Sequence, residues 1–361
     1  MSSNLAITGI GSVSPYGPIG GLIPECSLEP ESIAAWTTAG LRRAFLVKPF
    51  RPASVVPGLK TRRLDRLSAW ALVASSLAIQ DAGIDLSEMG QNKVDRSRVA
   101  VVFGTGFGCA ELTEAFYQSA ALNGWGGTDP SPFPEGLANA PASHVALLHG
   151  LRGPNITVGS KGVAAESALI QAASLLRHGQ ADLAIVLAGD TLTRAVYEWY
   201  EVAGRLSPAC YNAEPLTEDG GFVPSEGVVA LVLEPSGRRE MRSYANFVSG
   251  RWAAGGDAGE SVRQMLGGSV LSVIICAGQG APCSHGSTAV LAREISGNGA
   301  AVVPETVPVI VPAQAVPAGL ADSGAFLHLI LALSSRPRSG SALLLGTSGD
   351  RGFAALLLEI P

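Results

Sequence analysis

The side chains able to do covalent or proton-transfer chemistry are few and widely spaced. Five cysteines (Cys26, Cys109, Cys210, Cys276, Cys283) and five histidines (His144, His149, His178, His285, His328) are scattered over 361 residues. No two cysteines form a C-x-x-C pair, so neither a zinc site nor a disulfide framework is expected. Ser160 and Lys161 have the types of a serine nucleophile with its base. Adjacent residues on extended chain point to opposite faces, which argues against that pairing. Cys109 follows a glycine-rich strand end and reads as a small buried hydrophobe. His144 and His149 precede an apolar strand and read as packing, and His285 and His328 read as structural.

Such sparse chemistry depends on the elements that would place it. Short β-rich runs alternate with Ala/Leu-rich helical stretches, the pattern of a layered α/β protein with buried strands. Strands are expected at Ala6–Gly11, Val99–Gly104, Leu183–Ala188, Val228–Leu233, Leu271–Ala277, Val307–Pro312, Ala342–Gly346 and Phe353–Ile360. Asp65 to Gly83 reads as a helix with an acidic N-cap and a glycine stop. Val163 to Gly179 reads as a second helix, almost free of charge, buried in a core or between subunits. Proline and glycine crowd residues 124–141, read as a long ordered loop, and 251–268, read as a shortened connection between halves. The boundary is placed near residue 245, giving halves 1–245 and 246–361.

Apolar residues make up 47% of the chain and charged residues 15%, so part of the surface is expected to be covered by a partner. The net charge of -5 comes without a Lys/Arg run, which speaks against nucleic acid or an anionic membrane as partner. Apolar stretches break well before the roughly 20 residues a spanning helix needs. With no basic leader ahead of the first strand, a cytoplasmic protein is expected.

Several segments, in order, resemble the β-ketoacyl-acyl-carrier-protein synthases. They are ITGIGSVSPYG (Ile7 to Gly17), Asp65-Arg66, VVFGTGFG (Val101 to Gly108), PFPEGLANAPASHVALLHGLRGPNITV (Pro132 to Val158) and DGGFVPSEGVVALVLE (Asp219 to Glu234). The resemblance covers most of the first 235 residues and thins after 245. It implies a thiolase-like layered αβαβα fold built from two similar halves.

In that family a cysteine at the start of a buried helix takes the acyl chain, helped by the helix N-terminus. Two histidines in the second half assist decarboxylation. The resemblance puts Gly162 where the cysteine would stand, and Gly278 and Ala318 where the histidines would stand. No catalytic residue is therefore expected, nor a metal or cofactor. The resemblance further implies a degenerate, chain-length-factor-type subunit: a non-elongating chain that pairs with an active ketosynthase as a heterodimer. Such a subunit meets acyl carrier protein only indirectly and shapes the acyl tunnel in polyketide, polyene or fatty-acid-like synthesis. In the family the stretch after GTGFG crosses the dimer interface, which marks Leu112, Thr113 and Phe116, with Phe133 in the following loop, as tunnel or interface candidates. Two other readings stay open: a thiolase-like acyltransferase, decarboxylase or hydrolase with an unrecognised catalytic residue, and a purely structural pseudoenzyme.

Overall fold

The computed structural model describes residues 4–24, 28, 31–33, 36, 42–86, 94–160, 162–204, 206, 210, 223–237, 242–254, 258–267, 269, 271–276, 309–310, 325–335, 339–347 and 352–361. A first set of strands comprises β1 (Leu5–Ser14), with a short partner β2 (Gly17–Gly20), then β5 (Val99–Thr105), β6 (Asn155–Gly159), β7 (Leu183–Asp190) and β8 (Gly227–Pro235). The second comprises β9 (Ala245–Ala254), β10 (Leu271–Cys276), β11 (Val309–Ile310), β12 (Gly340–Thr347) and β13 (Gly352–Ile360). Continuous apolar runs form the central strands β1, β5, β7 and β8, which are buried along almost their whole length. A two-residue pair, β3 (Glu31–Ser32) and β4 (Arg43–Ala44), lies apart.

The sheet runs β11-β10-β12-β13-β9-β1-β8-β7-β5-β6, so the second set repeats the order of the first. The sense repeats as well. In each set the two outer pairings are parallel and the two inner ones antiparallel. β1 and β9 join the sets by a short antiparallel seam, Leu5 to Ile7 against Phe247 to Ala245.

Helices complete the layers. After α1 (Pro52–Val55), α2 (Arg66–Asp81) packs on the outer face of β1 and β8 together with α4 (Ala140–His149), and α7 (Ala258–Leu266) packs on the outer face of β9 and β13. Between the sheet halves lie α5 (Ala164–Arg177) and α8 (Ala325–Ser335), which touch each other; α5 packs on β5 and β7 on one side and β9 and β13 on the other. This is the αβαβα order. Two more helices, α3 (Ala110–Asn123) and α6 (Arg194–Val202), stand over the ends of β5 and β7.

Both expected helices form at the expected places. The Asp65 side chain accepts the N–H of Leu67, the cap its position suggests, and α2 stops before Gly83 at φ +62°. The reading of residues 251–268 as a connection is corrected: Arg251–Ala254 continue β9, and most of the rest is α7. The run ANFVSGRWAA buries Ala245 and Phe247, but glycine and two large polar or exposed residues break its alternation, so the strand signal is masked. Of the expected strand 307–312, only Val309–Ile310 is described.

Candidate functional site

β6 leads the chain into the short turn that opens α5. Ser160 follows the strand, Gly162 sits at φ +84°, and Val163 opens α5. A side chain at that φ is strained by about 1–2 kcal/mol, so the turn is made for glycine. The helix can start this close because Gly104 on β5 has no side chain: a methyl group there would overlap the backbone of Ala164. Gly278 and Ala318, which the resemblance sets against the family's histidines, lie outside the described residues, as do Lys161 and His285. His328 falls within α8.

The turn after β5 is held by Asp190, at the end of β7. Its Oδ1 accepts Thr105 Oγ1 at 2.5 Å and the N–H groups of Gly106 at 3.1 Å and Phe107 at 2.9 Å. Thr105 Oγ1 in turn accepts the Gly108 N–H at 2.9 Å. From this turn α3 departs with Cys109 as its N-cap residue. The Cys109 thiol is buried, 4.0 Å from Ser68 Oγ, and burial together with the nearby Asp65 charge holds its pKa far above the ordinary thiol range. A buried thiol held protonated is a poor nucleophile, and Cys109 packs as a small hydrophobe.

Further along α3, the Glu114 carboxylate accepts from Thr193 Oγ1 and from the backbone of Ala195, which ties the helix to the start of α6. Burial pushes Glu114 above the usual carboxylate range. Beneath it, buried Glu226 pairs with Arg66 at 3.1 Å and accepts the N–H groups of Val47 at 3.2 Å and Leu192 at 3.1 Å. Its pKa too is raised, by burial, against the opposing pull of Arg66.

The structure brings the four tunnel candidates together. Phe116 meets Phe133 with ring centroids 5.5 Å apart, and Thr113 Oγ1 donates to the carbonyl of Gly136 at 3.0 Å. Leu112 lies against the same glycine. Phe116 also touches Tyr117 at 5.7 Å and Trp125 at 6.4 Å. Around it Tyr117, Leu122, Trp125, Phe133 and Leu137 are exposed, an apolar surface that water covers poorly. α4 connects this patch to the sheet edge. It packs on β6 and on the Phe133 turn, where His144 Nε2 lies 2.6 Å from Glu135 Oε2. β6 pairs only with β5 among the described residues and leaves one edge open. His149, at the end of α4, is half-buried, with its Nε2 3.1 Å from Ser75 Oγ.

Two carboxylates of this region escaped the sequence reading. Asp190 stands two residues past an expected strand and carries no local motif. Glu166 had one signal: it is the only acid in a helix otherwise almost free of charge.

The model of "Beta-ketoacyl synthase, N-terminal domain" matches residues 25–238. The chain belongs to the β-ketoacyl synthase family. Among curated relatives, 3-oxoacyl-[acyl-carrier-protein] synthase 2 of Vibrio cholerae is 25% identical over 273 residues, 70% of this chain and 63% of that one. Nodulation protein E of Rhizobium leguminosarum bv. trifolii is 28% identical over 242 residues, 65% of this chain and 58% of that one. The chain thus spans about three fifths of the length of these relatives. In fold it is similar to a chain of the ishigamide ketosynthase/chain length factor, with a TM-score of 0.74 at 22% identity over 99% of both chains. A second match is a chain of AntDE:AntF, a type II polyketide synthase acyl-carrier protein in complex with its ketosynthase, with a TM-score of 0.75 at 16% identity over 100% of both. These β-ketoacyl synthase relatives share the layered architecture, and no described helix here is long and apolar enough to cross a membrane.

Proposed function

We propose that this chain is a non-elongating, chain-length-factor-type subunit that pairs with an active ketosynthase and forms the far wall of its acyl tunnel. The observation that supports the reading is Gly162, a residue without a side chain in a backbone conformation that favours glycine, which we take to occupy the family's nucleophile position. Thioester transfer needs a thiolate there, so the chain has no place to load an acyl group. In the second half the same proposal takes Gly278 and Ala318 as the lost proton-handling positions.

The pairing is supported by the exposed aromatic patch of α3 and the Phe133 turn, contiguous through α4 with the open edge of β6. An open strand edge beside apolar surface suits an obligate interface, which typically hides more than about 2,000 Å². Leu112, Thr113, Phe116 and Phe133 are then the wall, and acyl carrier protein reaches the complex through the ketosynthase. The halves divide as 1–245 and 246–361, where β9 opens the second strand set.

Coexpression with the cognate ketosynthase tests the reading. A 1:1 heterodimer that makes chains of defined length is expected, while the chain alone neither condenses acyl- and malonyl-carrier protein nor keeps a covalent acyl group through denaturation. Stable acyl loading of the isolated chain overturns it.

A further inference from the structure

The turn Phe133–Gly136 carries one of the wall candidates but has no core of its own: no side chain of residues 128–139 is buried, and Phe133 is 51% exposed. A segment with so little burial is held in place by its hydrogen bonds. Two side-chain bonds hold this one, one from each neighbouring helix. From α3, Thr113 Oγ1 donates to the Gly136 carbonyl at 3.0 Å. From α4, His144 Nε2 lies 2.6 Å from Glu135 Oε2, the two side chains being 21% and 28% exposed. A carboxylate only accepts, so Nε2 carries the proton, and the bond forms whether or not the imidazole is charged.

The α4 side is firmly seated. Ala142 and Val145 are fully buried in the core, and Asn155 Nδ2, on β6, donates to the Ala142 carbonyl at 3.1 Å. A continuous line of contacts therefore runs from the sheet through α4 and His144 to Glu135, two residues from Phe133, whose ring meets Phe116 at 5.5 Å.

We propose that His144 and Glu135 are a positioning pair that sets the depth of the acyl tunnel by holding the Phe133 turn against Phe116, without forming the wall themselves. The inference rests on the reading of Phe116 and Phe133 as that wall. A tie at Gly136 alone leaves the turn free to pivot about it; the second tie, one residue earlier, removes that freedom. A wall is sharp only while its supports are fixed. With the pair cut, the Phe133 ring can swing from Phe116, and the tunnel floor becomes deeper and less definite.

The test uses the full chain coexpressed with its ketosynthase, in heterodimers shown to be intact. Glu135→Ala and His144→Ala should each raise amide exchange at Phe133, Glu135 and Gly136, whose N–H groups bond within the turn, by roughly fivefold or more. The same variants should shift products toward longer and more dispersed chains. Glu135→Gln keeps an acceptor and His144→Gln a donor, so both should stay close to the parent. The double alanine variant should be no worse than either single one, because one bond is lost in all three. Exchange unmoved by either alanine variant overturns the proposal. So does faster exchange with an unchanged product distribution where Phe116→Ala does change it; the pair is then a structural tie only, and the chain-length reading survives. If Phe116→Ala also changes nothing, the wall reading falls and this inference with it.

Discussion

The Oδ2 atom of Asp65 accepts the backbone N–H of Leu112 at 3.2 Å while its Oδ1 caps α2 through Leu67 at 2.8 Å. One carboxylate therefore fixes the start of α2 and the first turn of α3. Burial raises its pKa, with the two N–H groups opposing that rise. Asp65→Ala should destabilise the chain by roughly 2–3 kcal/mol, about 1 from the lost cap and the rest from the orphaned Leu112 donor. Urea denaturation measures it. Asp65→Asn, which keeps an acceptor, should lose less.

Phe116 and Thr113 should set product length. Burying one more methylene gains about 0.8 kcal/mol, whereas overpacking a rigid wall costs about 1–3 kcal/mol, so a wall stops growth sharply. Phe116→Ala and Thr113→Gly should lengthen the heterodimer's products and Thr113→Trp should shorten them, with the first condensation little changed. Thr113 also anchors the Phe133 turn through Gly136, so Thr113→Val separates volume from anchoring. Mass spectrometry of products from intact heterodimers decides; an unchanged distribution favours a scaffold role.

His149 should make the fold sensitive to mild acid. Burial, with a smaller contribution from Arg96, lowers its pKa from the ordinary 6.5 to about 4. The folded state then binds fewer protons than the unfolded chain between those values, so stability is full above pH 6.5 and falls as pH drops toward 4. The loss from this group is at most about 3 kcal/mol. His149→Gln should flatten the pH dependence of the urea midpoint between pH 7 and 5.

Pairing should depend on the exposed rings. Trp125→Glu, at a position 71% exposed, should leave the melting temperature of the isolated chain nearly unchanged yet weaken heterodimer formation at least tenfold. Light scattering after size exclusion reports it. Normal pairing would move the interface away from α3.

Legibility in the sequence follows how local the signal is. The two long helices and most strands were readable because buried apolar runs and their caps are local features, and Asp65 shows it most clearly. β9 was not: its buried Ala245 and Phe247 are followed by the run Gly250, Arg251 and Trp252, which breaks the alternation, and its partners β1 and β13 lie far off in sequence. The candidate wall was found through the family pattern rather than periodicity, and the contact of Phe116 with Phe133 needs a turn that no repeat announces. Asp190 and Glu166 escaped because a single buried carboxylate has meaning only beside the backbone it meets.

The pairing of β1 has a consequence for synthesis. All ten of its residues are buried, yet Leu5 finds its partner at Pro235 and the seam to β9 closes later still. At roughly 5–20 residues per second, a ribosome takes on the order of 10 to 50 seconds to make the intervening chain. During that interval α2 can shelter one face of β1, but both hydrogen-bonding edges beyond the short β2 hairpin stay open. The nascent chain is therefore most vulnerable to aggregation before β8 emerges, and production in cells should respond more to chaperone supply and slow, cool expression than to changes at the mature surface.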